Sequence, residues 1–110
     1  MTNLAGLPPL GQKVRPERGT AATRAHMAKV AALPCVVCLR PAPSTVHHCI
    51  CGRFSQARAG DFQTIPLCHA CHLGPNGIHA SKAAWVKANG PDTDFLPLVA
   101  DMLANQWNRP

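Results

Sequence analysis

The sequence predicts a small α+β domain, a β-hairpin core with flanking helices that a zinc ion helps to hold together. Three observations lead there. The chain has 110 residues with 17 Ala, but only 23 Leu, Ile, Val and Phe together, so its core is thin for a domain of this size and a metal has to supply part of the folding free energy. Two C-x-x-C pairs, Cys35–Cys38 and Cys68–Cys71, have the spacing of a structural zinc site. Short β-branched pieces lie between Ala-rich or apolar stretches with helical spacing.

Taken in order, residues 1–14 carry Gly and Pro interruptions without periodicity and read as a flexible lead-in to a single domain over residues 15–110. Thr20 is placed to cap a helix through TAATRAHMAKVAAL, with Met27, Val30 and Leu33 on one face, until Pro34 stops it. Val36–Val37, Thr45–Val46 and Thr64–Ile65, interrupted by Pro and Gly, suit a small hairpin. Ser81 caps SKAAWVKAN and Gly90 ends it. Thr93 or Asp94 caps a last helix with Phe95, Leu98, Val99, Met102, Leu103 and Trp107 at helical spacing.

Composition excludes several chemistries. There is no Tyr, hence no tyrosine nucleophile, and between Glu17 and Asp92 the only carboxylate is Asp61. That argues against paired-carboxylate glycosidases and carboxylate-bridged two-metal nucleases, so catalysis must lean on the six His. Eight basic residues fall between Lys13 and Arg58 against one acid, Glu17, and the net charge is +6. Such a surface either meets phosphates or is simply solvated. No apolar run approaches a membrane span, and the N-terminal stretch has Pro and Gly where a signal peptide needs an apolar segment. The expectation is a cytoplasmic protein without membrane contact, whose six Cys are metal ligands or free thiols.

Two C-x-x-C pairs in one short domain favour zinc held by Cys35, Cys38, Cys68 and Cys71 over a redox pair, which would need a βαβ context. The 29 residues between the pairs hold His47-His48, and His72 and His79 follow the second pair. Read alone, the His pair either supplies a zinc ligand or sits at a strand end. Cys49 and Cys51 are either packed thiols or ligands of a second zinc site with His47 and His48. His26 reads as structural or exposed, and His69, inside the second pair, either points to solvent or replaces a thiolate.

The order C-x-x-C, HH, C-x-x-C-H, H resembles the HNH endonucleases of the His-Me finger class. LPCVVC, HHC, DFQTIPLCHACH and GPNGIH, followed by a helix with Trp85, are similar to the small phage and prophage nucleases related to the Ref recombination-enhancement protein, over about residues 24–92. The resemblance implies a treble-clef-like ββα-metal core and a metal-dependent DNA endonuclease in a bacterial host cell, linked to phage or host recombination proteins. By that resemblance His48 is the general base. His47 ligates a catalytic divalent metal (Mg²⁺, Mn²⁺ or Zn²⁺), His72 at the start of the ββα helix is a second ligand, and His79 is a third ligand or a phosphate contact. The family's Asn falls on Gln63, so either Gln63 or Asp61 holds the base. Gly74-Pro75-Asn76-Gly77 breaks any helix between His72 and His79. Arg53 and Arg58 are candidate phosphate contacts or plain surface arginines. The rival from another class is a non-catalytic zinc-finger module that binds nucleic acid or protein.

Overall fold

The computed structural model describes residues 17–52 and 59–105. The expected lead-in over residues 1–14, together with Lys13, Arg15, Arg53, Arg58 and Trp107, lies outside the described residues.

The chain begins with α1, Ala21–Ala31, on a reciprocal cap: the Thr23 amide donates to Thr20 Oγ1 at 3.1 Å and the Thr20 amide donates to Thr23 Oγ1 at 2.9 Å. Two of the amides left over at a helix start are thereby satisfied. Val30 and Leu33 turn into the core while Met27 is only half-buried, and the helix closes at Ala32, ahead of Pro34.

Strands β1, Thr45–His48, and β2, Thr64–Leu67, pair antiparallel in the register Thr45 with Leu67, Val46 with Pro66, His47 with Ile65 and His48 with Thr64. All four β2 residues are buried. Pro66 cannot donate an amide hydrogen bond, which a two-stranded sheet tolerates because each strand has a free edge. The Pro66 carbonyl accepts from the Val36 amide at 2.9 Å, docking the first cysteine turn against β2.

Val36 and Val37 are not a strand, as their β-branching suggested; they sit in a tight turn. The Cys35 carbonyl accepts from the Leu39 amide at 2.9 Å and the Cys35 amide donates to Arg40 O at 3.0 Å. Bringing Cys35 and Cys38 to one point requires that turn, and a local demand of this kind overrides a propensity of at most about 1 kcal/mol.

After β2 come the one-turn helix α2, His69–His72, then α3, Lys82–Asn89, a 3-10 turn over Asp92–Phe95 and α4, Leu96–Ala104. Ser81 precedes α3, but its hydroxyl donates to Pro75 O instead of capping the helix. Gly90 ends α3 with φ +86°, a conformation that glycine adopts without a Cβ clash. Neither Thr93 nor Asp94 caps α4, because the 3-10 turn occupies that stretch and α4 starts at Leu96 with Pro97 in its first turn. On α4, Val99 and Met102 are buried and Leu98 is exposed.

Helices α1 and α4 pack against the hairpin and against each other. The core they enclose joins Val30, Ile65, Leu67, Ile78, Trp85 and Met102, with the Trp85 ring edge-on to Phe95 at 6.0 Å. No helix among the described residues is long and apolar enough to cross a membrane.

Candidate metal centres

The four sulfurs of Cys35, Cys38, Cys68 and Cys71 all lie within 4.8 Å of one another, and Cys38 Sγ is 3.6 Å from Cys68 Sγ. A tetrahedron with Zn–S bonds of about 2.3 Å puts its sulfurs about 3.8 Å apart, so the cluster is compatible with one structural zinc. Burial opposes ionisation of Cys68, but the Cys71 amide and the neighbouring thiols donating to its sulfur outweigh it and hold its pKa down, at about 7. One pair precedes β1 and the other follows β2, so the cluster ties the two ends of the hairpin insert together.

A second group forms from His47, His72 and His79, each with one ring nitrogen within 4.8 Å of the others. Their ring centroids form a near-equilateral triangle: 5.0 Å from His47 to His72, 5.1 Å from His47 to His79 and 4.8 Å from His72 to His79. His47 is buried, His72 half-buried and His79 exposed, so the triangle opens toward solvent through His79. Burial, with the neighbouring imidazoles adding, lowers the His72 pKa to about 4, so the ring is neutral and able to ligate at neutral pH.

His72 stands at the end of the one-turn helix α2, not at the start of a longer helix, and α3 carries no histidine. A backbone turn brings His79 back to it. Gly77 donates to Gly74 O at 2.8 Å, Ile78 to Cys71 O at 3.0 Å and His79 to His72 O at 3.2 Å. The turn is so close that a Cβ on Gly77 would sit 2.7 Å from the His72 carbonyl carbon and oxygen. The Gly-Pro-Asn-Gly run that forbids a helix is thus what joins the two histidines.

The buried Nδ1 of His47 has no hydrogen-bond partner among the described residues. Leaving a buried polar nitrogen unpaired costs free energy, and a cation ligated by that nitrogen would satisfy it. Three imidazoles with one solvent-facing side are a donor set that divalent transition metals accept.

His48 is the residue after His47 on β1, and the strand pleat sends their side chains to opposite faces. His48 Nε2 is 2.9 Å from Asp61 Oδ1. Asp61 Oδ2 also accepts from the Gly19 amide at 2.7 Å, and Arg18 Nε stands 3.9 Å from Oδ1. The hydrogen bond with His48, then that from Gly19, holds the Asp61 carboxyl down at about 2. Of the two residues the resemblance left open, Asp61 is the one that touches His48. Gln63 instead accepts from the Gly60 amide at 3.2 Å and closes the turn ahead of β2.

Asp92 is a site residue that sequence reasoning missed. It is fully buried, its Oδ2 lies 2.8 Å from His47 Nε2 and 2.7 Å from the Ile50 amide, and its Oδ1 accepts from the Cys51 amide at 3.1 Å. Burial would raise its pKa, but His47 and the two amides outweigh that and hold it at about 2. No motif marks it; the one available signal is that acids are scarce in this chain. Cys49 is buried in the core, which pushes its thiol up to about 12, and neither Cys49 nor Cys51 joins a ligand group among the described residues. His26 rests edge-on against Phe62 at 5.1 Å, and His69 is exposed.

No curated protein and no solved structure gives a significant match to the chain. A family model matches residues 6–103, which takes in both cysteine turns, the hairpin and every histidine described above, and on that match the chain belongs to the DUF968 family, described as proteins of unknown function.

Proposed function

We propose that the protein is a metal-dependent DNA endonuclease of the HNH, His-Me finger type, with His48 as its general base. The observation that carries this reading is the pairing of His48 with Asp61 on the strand that also presents His47 to the three-histidine triangle. A zinc-finger module that only binds has no use for a carboxylate-oriented imidazole beside a second, open metal-ligand set.

Asp61 is ionised at neutral pH and can only accept, so His48 Nε2 carries the proton and Nδ1 is the basic nitrogen. Nδ1 takes the proton of an attacking water, and the adjacent carboxylate stabilises the imidazolium that results. A divalent cation held by His47, His72 and His79 would supply positive charge at the scissile phosphate and the leaving oxygen. His47 and His48 are neighbours on β1, so one strand carries both the proposed base and a proposed metal ligand. Arg18, beside Asp61, and the net charge of +6 suit a polyanionic substrate.

The test is incubation of the zinc-loaded protein with supercoiled plasmid and with single- and double-stranded oligonucleotides, adding Mg²⁺, Mn²⁺ or Zn²⁺ in turn. His48→Ala is expected to lower cleavage by about 10² to 10⁴, the usual contribution of a general base, with zinc content, fold and DNA affinity retained. No cleavage by the wild-type protein on any of these would overturn the reading in favour of a non-catalytic zinc-finger module.

A further inference from the structure

A neutral imidazole offers its lone pair at Nδ1 or at Nε2, never at both, and which nitrogen is free depends on the hydrogen bond that the other one makes. A three-histidine site is therefore preorganised only where something outside it selects each tautomer. For His47 the selector is Asp92. A carboxylate can only accept, so the 2.8 Å contact puts the proton on Nε2 and leaves the lone pair on Nδ1, the buried nitrogen without a partner among the described residues. For His72 the selector is Thr45, through a short chain of donors. Thr45 Oγ1 lies 2.6 Å from Leu67 O, a carbonyl that can only accept, so the single hydroxyl proton is spent there. Toward His72 Nδ1, 2.8 Å away, the same oxygen can then only accept. Nδ1 of His72 carries the proton and Nε2 keeps the lone pair.

We infer that Asp92 and Thr45 are positioning residues that set opposite tautomers on two metal ligands, so that His47 binds through Nδ1 and His72 through Nε2. This rests on the reading of the triangle as a metal site, but not on nuclease activity. Thr45 and Leu67 face each other across the hairpin, so the selector of His72 is built into the strand register. Asp92 reaches in from the turn after α3, and its bonds to the Ile50 and Cys51 amides also fasten the end of β1. Outer partners of this kind change metal affinity by about 10- to 100-fold when removed, because the ring loses both its orientation and its preferred tautomer.

The experiment uses the full chain with zinc in the cysteine site and the histidine site metal-free. Long-range ¹⁵N–¹H correlation spectra of the histidine rings are expected to show the proton on Nε2 of His47 and on Nδ1 of His72; the opposite tautomer at either ring would overturn its assignment. Calorimetric titration with Co²⁺, without DNA, is expected to give about 10- to 100-fold weaker binding for Asp92→Asn and for Thr45→Val, with Thr45→Ser restoring it. Asp92 is buried and its variant risks misfolding; Thr45 is exposed, so Thr45→Val and the wild-type tautomers test the inference independently. Unchanged Co²⁺ affinity in Thr45→Val and in folded Asp92→Asn would overturn it. A wild-type protein that binds no Co²⁺ beyond the cysteine site would overturn the metal site as well. A protein that binds Co²⁺ as expected yet cuts no DNA would overturn only the proposed function.

Discussion

His48 Nε2 lies 2.9 Å from Asp61 Oδ1, across the loop between the two strands of the hairpin. If this bond orients the base, Asp61→Asn lowers DNA cleavage by about 10- to 100-fold and leaves Co²⁺ affinity at the histidine triangle unchanged. A cleavage rate equal to wild type, measured on the same plasmid under saturating metal, would show that His48 does not depend on Asp61.

The same carboxyl predicts a pH dependence of stability. Its pKa falls from an ordinary 3.8 to about 2 in the folded chain, chiefly through His48 and then the Gly19 amide. A depressed acid stabilises the fold above its unfolded pKa, and that contribution is lost as pH falls from about 4 toward about 2. Chemical denaturation across that window is expected to show a shallower acid loss for Asp61→Asn than for wild type. Equal slopes would mean that the bond is absent in solution.

The cysteine cluster should bind one zinc per chain, and its removal should unfold the domain, since the sulfurs tie together the ends of an insert over a thin core. Circular dichroism during titration with a strong chelator reads this directly. Cys68→Ser should lose the zinc, whereas Cys49→Ser should keep it and cost about 1–3 kcal/mol for burying a hydroxyl in an apolar site. Loss of zinc in Cys49→Ser would place that thiol among the ligands.

Gly77→Ala brings a methyl group to 2.7 Å from the His72 backbone, where nothing flexible can yield. The turn must open, costing about 1–3 kcal/mol, and His79 moves away from His72. Calorimetry should therefore show weakened Co²⁺ binding with the cysteine zinc retained; wild-type affinity would mean that His79 is not held by this turn.

Leu39, just past Cys38, has φ +63° and is 58% exposed. A left-handed conformation costs an L-residue roughly 1–2 kcal/mol, and its exposed side chain repays little of that. Leu39→Asn and Leu39→Gly should each raise the thermal midpoint, by an amount corresponding to about 1 kcal/mol at most. A drop in both would show that the leucine side chain makes a stabilising contact.

Much of this molecule can be read along the chain because the relevant interactions are local. Thr20 caps α1 within a single turn, Gly90 ends α3 through its own φ, and a C-x-x-C pair brings two sulfurs together over four residues. The grouping of His47, His72 and His79 was legible only by resemblance. Their separation in sequence carries no geometric period, and the Gly-Pro-Asn-Gly run argued against a shared helix face.

What the sequence determined by itself is the inventory and its local geometry: four thiols in two turns, short β-branched pieces that suit a hairpin, a histidine pair in the insert between the turns, and a positive charge overall. Which carboxylate serves which histidine was decided only by the tertiary structure. Asp61 and Asp92 lie 13 and 45 residues from the histidines they pair with. The strand pleat sends His47 and His48 to opposite faces, and packing, not sequence distance, brings a different acid to each. A buried acid stays ionised where amides and an imidazole N–H converge on it, and that convergence exists only once the turn after α3 has packed against the end of β1.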